Sequence, residues 1–405
     1  MRRKPAPEPR SKHGSSPSRR GAPEPKRQTA LAALRNEIDG VDREIVKRVN
    51  DLASKWCDLV TVMNRRAEIA TRIGKVKEQQ GLEIWSPARE EEVLAKALAS
   101  NKGPLAPETV RLIFRELMSG SRALQKTLRV ACLGPLYSYS HLAAVVKFGA
   151  AVEHVPVGSI AAVFEEVNRR HVQFGLVPLE NSTDGRIADT LDMFVRLSGL
   201  LKIRAEVRLR VHHCLLGKCE WGQIQRVYSK AQALSQCRNW LGKNLPQAKV
   251  VEVISTAAAA ELAAREDYGA AIASRPAAEA YGLKVHAANI EDQPNNSTRF
   301  AVIAEQSEER TGHDKTTLML RLPNKAGSLA RALDPFEKHN VNMTWIESFP
   351  TITGPPESDP TYLFFADIEG HATDRAVVQA LEAVRKKVDR LEILGSYPRS
   401  ECIEN

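Results

Sequence analysis

The chain of 405 residues holds no run of about 18 apolar residues, the length a helix needs to cross a bilayer, so nothing in it reads as a membrane span. Its first residues lack the apolar core of a secretory signal. No C-x-x-C pair occurs among the six cysteines, Cys57, Cys132, Cys214, Cys219, Cys237 and Cys402, which removes the usual zinc and thiol-redox patterns. The nearest approach to a ligand cluster is His212-His213-Cys214 followed by Cys219. It sits in the apolar run RVHHCLLG, which reads as a strand, so no metal is expected. Reduced thiols in a cytoplasmic protein are the simpler expectation. No G-x-S-x-G elbow is present for a hydrolase serine. No G-x-G-x-x-G follows a strand to hold a dinucleotide. What remains is ordinary soluble composition, 43% hydrophobic and 26% charged, enough for several domains and incompatible with disorder throughout.

The net charge of +9 is concentrated rather than spread. Residues 1–30 carry nine Lys or Arg against two Glu, with six Pro and almost no large apolar side chain. Such a segment reads as a disordered basic tail. The other 375 residues are left with only +2, too little for a broad phosphate-binding surface, so nucleic acid is not an expected partner.

Three hydrophobic periods follow one another. Over 31–127 the pattern is helical: Leu31, Leu34, Ile38, Val41, Ile45, Val49 and Leu52 fall three or four apart. The stripe runs on through Trp56, Leu59 and Met63 to Ile73 and Val76. An unbroken helix from 31 to 80 would span roughly 75 Å and would need a partner helix, expected from a second subunit. Gly81 and Pro87 punctuate the chain before two further helices, over about 88–100 and 107–126. From 128 to 304, short β-rich runs alternate with helical stretches, predicting an α/β domain with mostly parallel sheets. Ligands then bind beyond the carboxyl ends of the strands. Residues 314–400 read strand, helix, strand, strand, helix, strand, the order of a ferredoxin-like βαββαβ unit.

The motifs sharpen this. In the helical segment LAALRNEID, NRRAEIATRIGKVK and SPAREEEVL precede a helix with Ser121 and Gln125 four apart. The set resembles the all-helical chorismate mutases. That chemistry is a pericyclic rearrangement of a dianion, served by holding the reactive conformer and stabilising charge on the ether oxygen. The resemblance implies Arg35, Arg65 and Arg89 as carboxylate holders, Lys77 and Gln125 at the ether oxygen, Glu90 at the substrate hydroxyl and Ser121 as a further contact. Two departures stand out. Ser86 replaces the usual Asp. The stretch between Asp42 and Arg65 exceeds the family's by about 13 residues, which turns a continuous helix by about 220° and lengthens it by about 20 Å. The family supplies one arginine of each site from the neighbouring subunit, so Arg35 misses its place unless the insert loops out or the dimer adjusts.

In the middle segment GPLYSYSHLAA, PLENSTDGRIADTLDMF, VYSKAQALSQC, STAAAAELAA, GAAIASRPAAEAYGL and NNSTRFAVI occur in this order. They resemble prephenate dehydratase, which needs no cofactor because aromatisation drives loss of carbon dioxide and hydroxide. The resemblance implies Thr298 as the central acid, with Asn181, Ser229 and Gln236 positioning substrate and Arg299 as a candidate for its carboxylate. Thr190, Ser138, Tyr139 and Ser140 are expected to line the same cleft.

The last segment, with NKAGSLARAL and WIESFP, resembles the ACT amino-acid-sensing module, with Phe349 where Arg is usual. It implies Gly327, Ser328, Leu329, Asn342, Glu347 and Ser348 around phenylalanine at a subunit interface. In this order the three units resemble the bifunctional chorismate mutase/prephenate dehydratase family. That family is cytoplasmic, cofactor-free and oligomeric, so a homodimer or homotetramer acting on chorismate and prephenate and answering to phenylalanine is expected. Other readings stay open at this point: a dehydratase of prephenate or arogenate whose helical arm only dimerises, or a non-enzymatic amino-acid sensor.

Overall fold

The computed structural model describes residues 25–50, 56–183, 185–351 and 361–403. Most of the basic tail, residues 51–55 of the insert and Leu52 with them lie outside the described residues. Helix α1 (Pro25–Asn50) begins inside the stretch expected to be tail. Helices α2 (Trp56–Gln80), α3 (Pro87–Ser100) and α4 (Pro107–Ala123) complete the arm. Pro87 and Pro107 occupy first turns, where the missing N–H costs nothing.

The expected 31–80 helix is two helices that run antiparallel. Arg66 of α2 pairs with Asp42 of α1 at 2.5 Å, and Arg72 with Glu37 at 2.7 Å, so residues further along α2 meet residues further back along α1. The physical reason lies in the stripe. A straight helix leaves it to be covered by a second chain, whereas reversal buries Leu31, Ile38, Val41 and Ile45 against Val62, Ile69 and Ile73 of the same chain, with Val93, Phe114 and Met118 closing the core.

The strands are β1 (Arg129–Leu133), β2 (Glu153–Val157), β3 (Phe174–Asn181), β4 (Gly185–Arg186), β5 (Lys202–Arg210), β6 (Cys214–Gly217), β7 (Arg226–Ser229), β8 (Lys249–Glu252), β9 (Gly269–Ala273), β10 (Lys284–Ala287), β11 (Ser297–Ala304), β12 (Asp314–Arg321), β13 (Met343–Thr351), β14 (Thr361–Glu369), β15 (Arg390–Pro398) and β16 (Cys402–Ile403). They form three sheets. The first has the order β16-β5-β11-β3-β1-β2, with β4 on β3; the second, β10-β6-β9-β7-β8; the third, β13-β14-β12-β15. The two α/β sheets are mixed rather than mostly parallel. The second lobe is inserted between β5 and β11, so β11 returns from it and lies antiparallel to both β3 and β5. The third sheet, wholly antiparallel with helices Ser328–Lys338 and Arg375–Arg385 between its strands, is the ferredoxin-like unit expected.

The units share surfaces. Trp85, in the link between α2 and α3, is buried among Phe148 and Phe174 of the first lobe. Met319, Phe365 and Tyr397 of the third sheet pack into one core with Ile203 and Val177 of the first. At Gly395 a Cβ would come within 1.9 Å of the Ile203 carbonyl oxygen, so β15 approaches β5 as only glycine permits.

Candidate active sites

All four arm helices contribute to one cavity. Arg35 comes from α1, Arg66 and Lys77 from α2, Arg89 and Glu90 from α3, and Ser121, Arg122 and Gln125 from α4. Ser86 stands at its edge as the N-cap of α3, accepting from the Arg89 N–H. Of the seven residues expected here, six line the cavity. Arg65 does not: it is exposed, and its neighbour Arg66 is buried in the place expected for it. Helical spacing explains the correction. Arg66 and Lys77 are eleven residues apart, three turns within about 20°, whereas Arg65 sits about 100° round. Arg66 donates to Asp42 and, at 2.7 Å, to Ser121 Oγ.

The cavity is strongly cationic. Arg122 pairs with Glu90, whose other oxygen accepts from Trp85 Nε1 at 3.0 Å, and Arg89 pairs with Asp39. Lys77 donates to the Ile84 carbonyl at 2.7 Å. Burial, then the charges of Arg35, Arg204 and Arg89, hold its ammonium down to about 8. Burial and the nearby Arg66 lower Arg122 to about 10. Gly74 makes room for Gln125, whose Cγ would lie 2.6 Å from an added Cβ. The Gln125 Oε1 atom is buried without a hydrogen-bond partner, an acceptor awaiting a donor. Arg122 is the residue that sequence reading passed over; it adjoins Ser121 on the same helix.

The second site forms where β11 returns beside β3. Thr298 and Asn181 stand opposite each other in register, and Asn181 Nδ2 donates to Thr298 Oγ1 at 2.9 Å. The same amide reaches Asn296 Oδ1 at 3.1 Å, and Asn296 Nδ2 donates to Gln236 Oε1 at 2.8 Å. The ring of His213 lies 2.9 Å from Gln236 Oε1 and 3.0 Å from the Tyr139 hydroxyl. Burial lowers the His213 pKa. Thr298, Asn181, Gln236 and Tyr139 therefore share one polar chain. Asn296 and His213 are its unforeseen members, though both sit inside motifs singled out above.

Other expected residues are placed differently. Ser229 is fully buried and donates to the Ile272 carbonyl at 2.7 Å, tying β7 to β9. Thr190, also fully buried, donates to the Pro178 carbonyl at 2.6 Å. Ser138 caps the helix Tyr139–Phe148, and Ser140 is buried in its first turn. Arg299 points to the opposite face of β11 from Thr298, as neighbours on a strand do, and meets Glu206 at 2.8 Å and Asp367 at 2.6 Å. Its guanidinium is consumed by an ionic cluster against the third sheet. His212 pairs with Glu291 at 2.7 Å, and no group of three or more potential metal ligands occurs among the described residues.

Residues 57–126 match chorismate mutase type II, 130–308 match prephenate dehydratase and 316–386 match the ACT domain. A bifunctional chorismate mutase/prephenate dehydratase from Aquifex aeolicus is 38% identical over 375 residues, 91% of this chain and 98% of its own. The chain belongs to the bifunctional chorismate mutase/prephenate dehydratase family. The enzyme of that name from Neisseria gonorrhoeae is 40% identical over 91% of this chain and 97% of its own. Among solved structures, prephenate dehydratase from Arthrobacter aurescens in complex with L-Phe superposes with a TM-score of 0.61 at 34% identity, covering 67% of this chain and 90% of that one. The mutase match starts after the reversal, so α1 and Arg35 lie outside it.

In this member of the family the six expected effector residues do not form one pocket within a chain. Gly327, at φ +76°, follows the end of β12 and starts the next helix with Ser328 and Leu329. Asn342 accepts from the Glu369 N–H, and Glu369 pairs with Lys315 near the start of β12. The two loops are separated by the length of that strand, on the order of 20 Å. Glu347 and the Ser348 carbonyl, the latter at 2.8 Å, both receive Arg186 from β4, the strand beside Asn181. Phe349 packs edge-on against Phe365.

Proposed function

We propose that the arm converts chorismate to prephenate, that the two-lobed domain converts prephenate to phenylpyruvate, and that phenylalanine restrains the second step through the C-terminal module. The mutase reading rests on the cationic cavity with its unpartnered Gln125 oxygen. Arg35, Arg66 and Arg89 hold the two carboxylates. Protonated Lys77 faces the ether oxygen. Gln125, whose unsatisfied atom is an acceptor, suits a protonated or hydroxyl group, or turns its amide to donate. Glu90 takes the substrate hydroxyl, and Ser121 orients Arg66.

The dehydratase reading rests on the Thr298–Asn181 pair. Because Thr298 Oγ accepts from Asn181, its own proton is left to donate towards the departing hydroxyl, and the Asn181 bond stabilises the oxygen that remains. Gln236, Asn296 and His213 hold Asn181 from behind. The carboxylate role suggested for Arg299 is set aside, since its partners are buried acids. Supporting effector control, two links run between the third sheet and this cleft, Arg299 to Asp367 and Arg186 to Glu347. The separation of Gly327 from Asn342 favours an effector site between two copies, each giving one loop, and hence a homo-oligomer. We place the enzyme in the cytoplasm with its relatives' chemistry; no helix among the described residues is long and apolar enough to cross a membrane.

The test is turnover of purified protein on chorismate and, separately, on prephenate, with and without phenylalanine. Consumption of prephenate alone would reduce the arm to a scaffold. Consumption of neither would leave an amino-acid-binding protein.

A further inference from the structure

The resemblance to the helical mutases implied one arginine of each site from a neighbouring subunit, across a continuous first helix. Here that helix reverses. Arg35 lines the same cavity as Lys77, Arg89 and Gln125 of its own chain. The pairing that carries it there is extensive. Asp42 and Arg66 are both buried around their 2.5 Å contact, and Leu31, Ile38, Val41 and Ile45 are each at most 7% exposed against α2, α3 and α4. The electrostatics agree, since Arg35 is among the charges depressing Lys77.

The same contacts would arise if α1 of a second copy lay on α2. The linker decides between the two arrangements. Five residues separate Asn50 from Trp56 and reach at most about 20 Å when extended. Packed helices are only about 8–10 Å apart, so closure within a chain imposes no stretch. A short linker presents α1 to its own α2 at an effective concentration of order millimolar. A second copy at micromolar concentration competes roughly a thousandfold less well, and only a strained hinge would offset that.

We propose that each chain completes its own mutase site, with Arg35 holding substrate carboxylate in cis. This rests on the mutase reading above. It separates mutase assembly from whatever association the C-terminal module makes.

Two differently tagged copies, one carrying Arg35→Ala and the other Arg89→Ala, are co-expressed, and the doubly tagged species is purified through both tags. Its prephenate turnover counts the folded enzyme. A site built in cis leaves each chain with one missing arginine, so chorismate turnover stays at the level of the single variants. A site built in trans pairs the two intact arginines at one of two sites and restores about half of wild-type turnover, which overturns the proposal. If no doubly tagged species forms and the untagged chain is an active monomer, the proposal stands. Wild-type protein that leaves chorismate untouched would instead remove the mutase reading itself. A second measurement needs no loss of arginine from the site. With Glu37→Cys and Arg72→Cys in one chain, oxidation should give a cross-link that leaves the denatured mass that of one chain; cross-linked dimers would overturn the proposal.

Discussion

Arg299 lies next to Thr298 in sequence yet gives its guanidinium to Asp367, an acid of the C-terminal sheet, at 2.6 Å. Glu206, Lys315, Thr317 and Tyr397 complete the cluster, all buried. Replacing Arg299 with Met should therefore act first on stability. It strands two buried carboxylates with Lys315 alone, at a cost of about 3–5 kcal/mol. Urea unfolding followed by fluorescence would show it. An unchanged midpoint with a raised KM for prephenate would return Arg299 to the substrate.

At Thr298 the expectation is kinetic. Thr298→Ala should lower kcat for prephenate by about 100-fold or more, while Thr298→Ser keeps much of it, because only the hydroxyl is needed. Asn181→Ala should lower kcat as well, since Thr298 Oγ loses its 2.9 Å donor. Steady-state rates of phenylpyruvate formation decide this.

In the arm, Arg66→Ala should abolish most chorismate consumption and Arg65→Ala almost none. One side chain is 3% exposed in the cavity wall, and the other faces solvent. Equal losses at both positions would mean that the cavity is not the site.

Lys77 sets a pH limit. Its ammonium is the useful form, and its pKa is held down to about 8, so kcat/KM for chorismate should fall as pH rises through about 8. A bound dianion favours the cation, so the corresponding limb of kcat should lie higher. A flat kcat/KM profile from pH 7 to 9.5 would contradict this role.

Arg186 offers a cut through the regulatory link. It joins β4, beside Asn181, to Glu347 and Ser348. Arg186→Ala should retain prephenate turnover and show a smaller maximal inhibition by phenylalanine. Inhibition curves for the two proteins at one substrate concentration measure it.

Much of this architecture was legible in the residues. Three successive hydrophobic periods mark three units, and the family resemblance carried by the short motifs implies Thr298, Asn181 and Gln236 around one cleft, where one hydrogen-bonded chain joins them. Three features are harder to read. Adjacent arginines such as Arg65 and Arg66 look alike until the eleven-residue spacing to Lys77 is turned into an angle. Strand alternation puts Arg299 on the opposite face from Thr298, although the two share one motif. The reversal after Asn50 left no mark in the apolar stripe, which continues in phase through both helices; only burial of that stripe against itself revealed the turn. Asn296 and His213 were hidden for another reason. Their roles depend on where the inserted lobe returns, which no local pattern records.

That insertion has a consequence in time. Asn181 and Thr298 are 117 residues apart, and all five strands of the second lobe lie between them. A ribosome adding about 5–20 residues per second makes Asn181 wait on the order of ten seconds for its partner. Throughout that wait the first sheet has a vacant lane between β3 and β5, the one β11 later fills. The Thr298–Asn181 site of a nascent chain is thus incomplete until the inserted lobe has emerged, long after the arm's cavity residues have been made, and the edges flanking the lane are the surfaces a chaperone would have to guard.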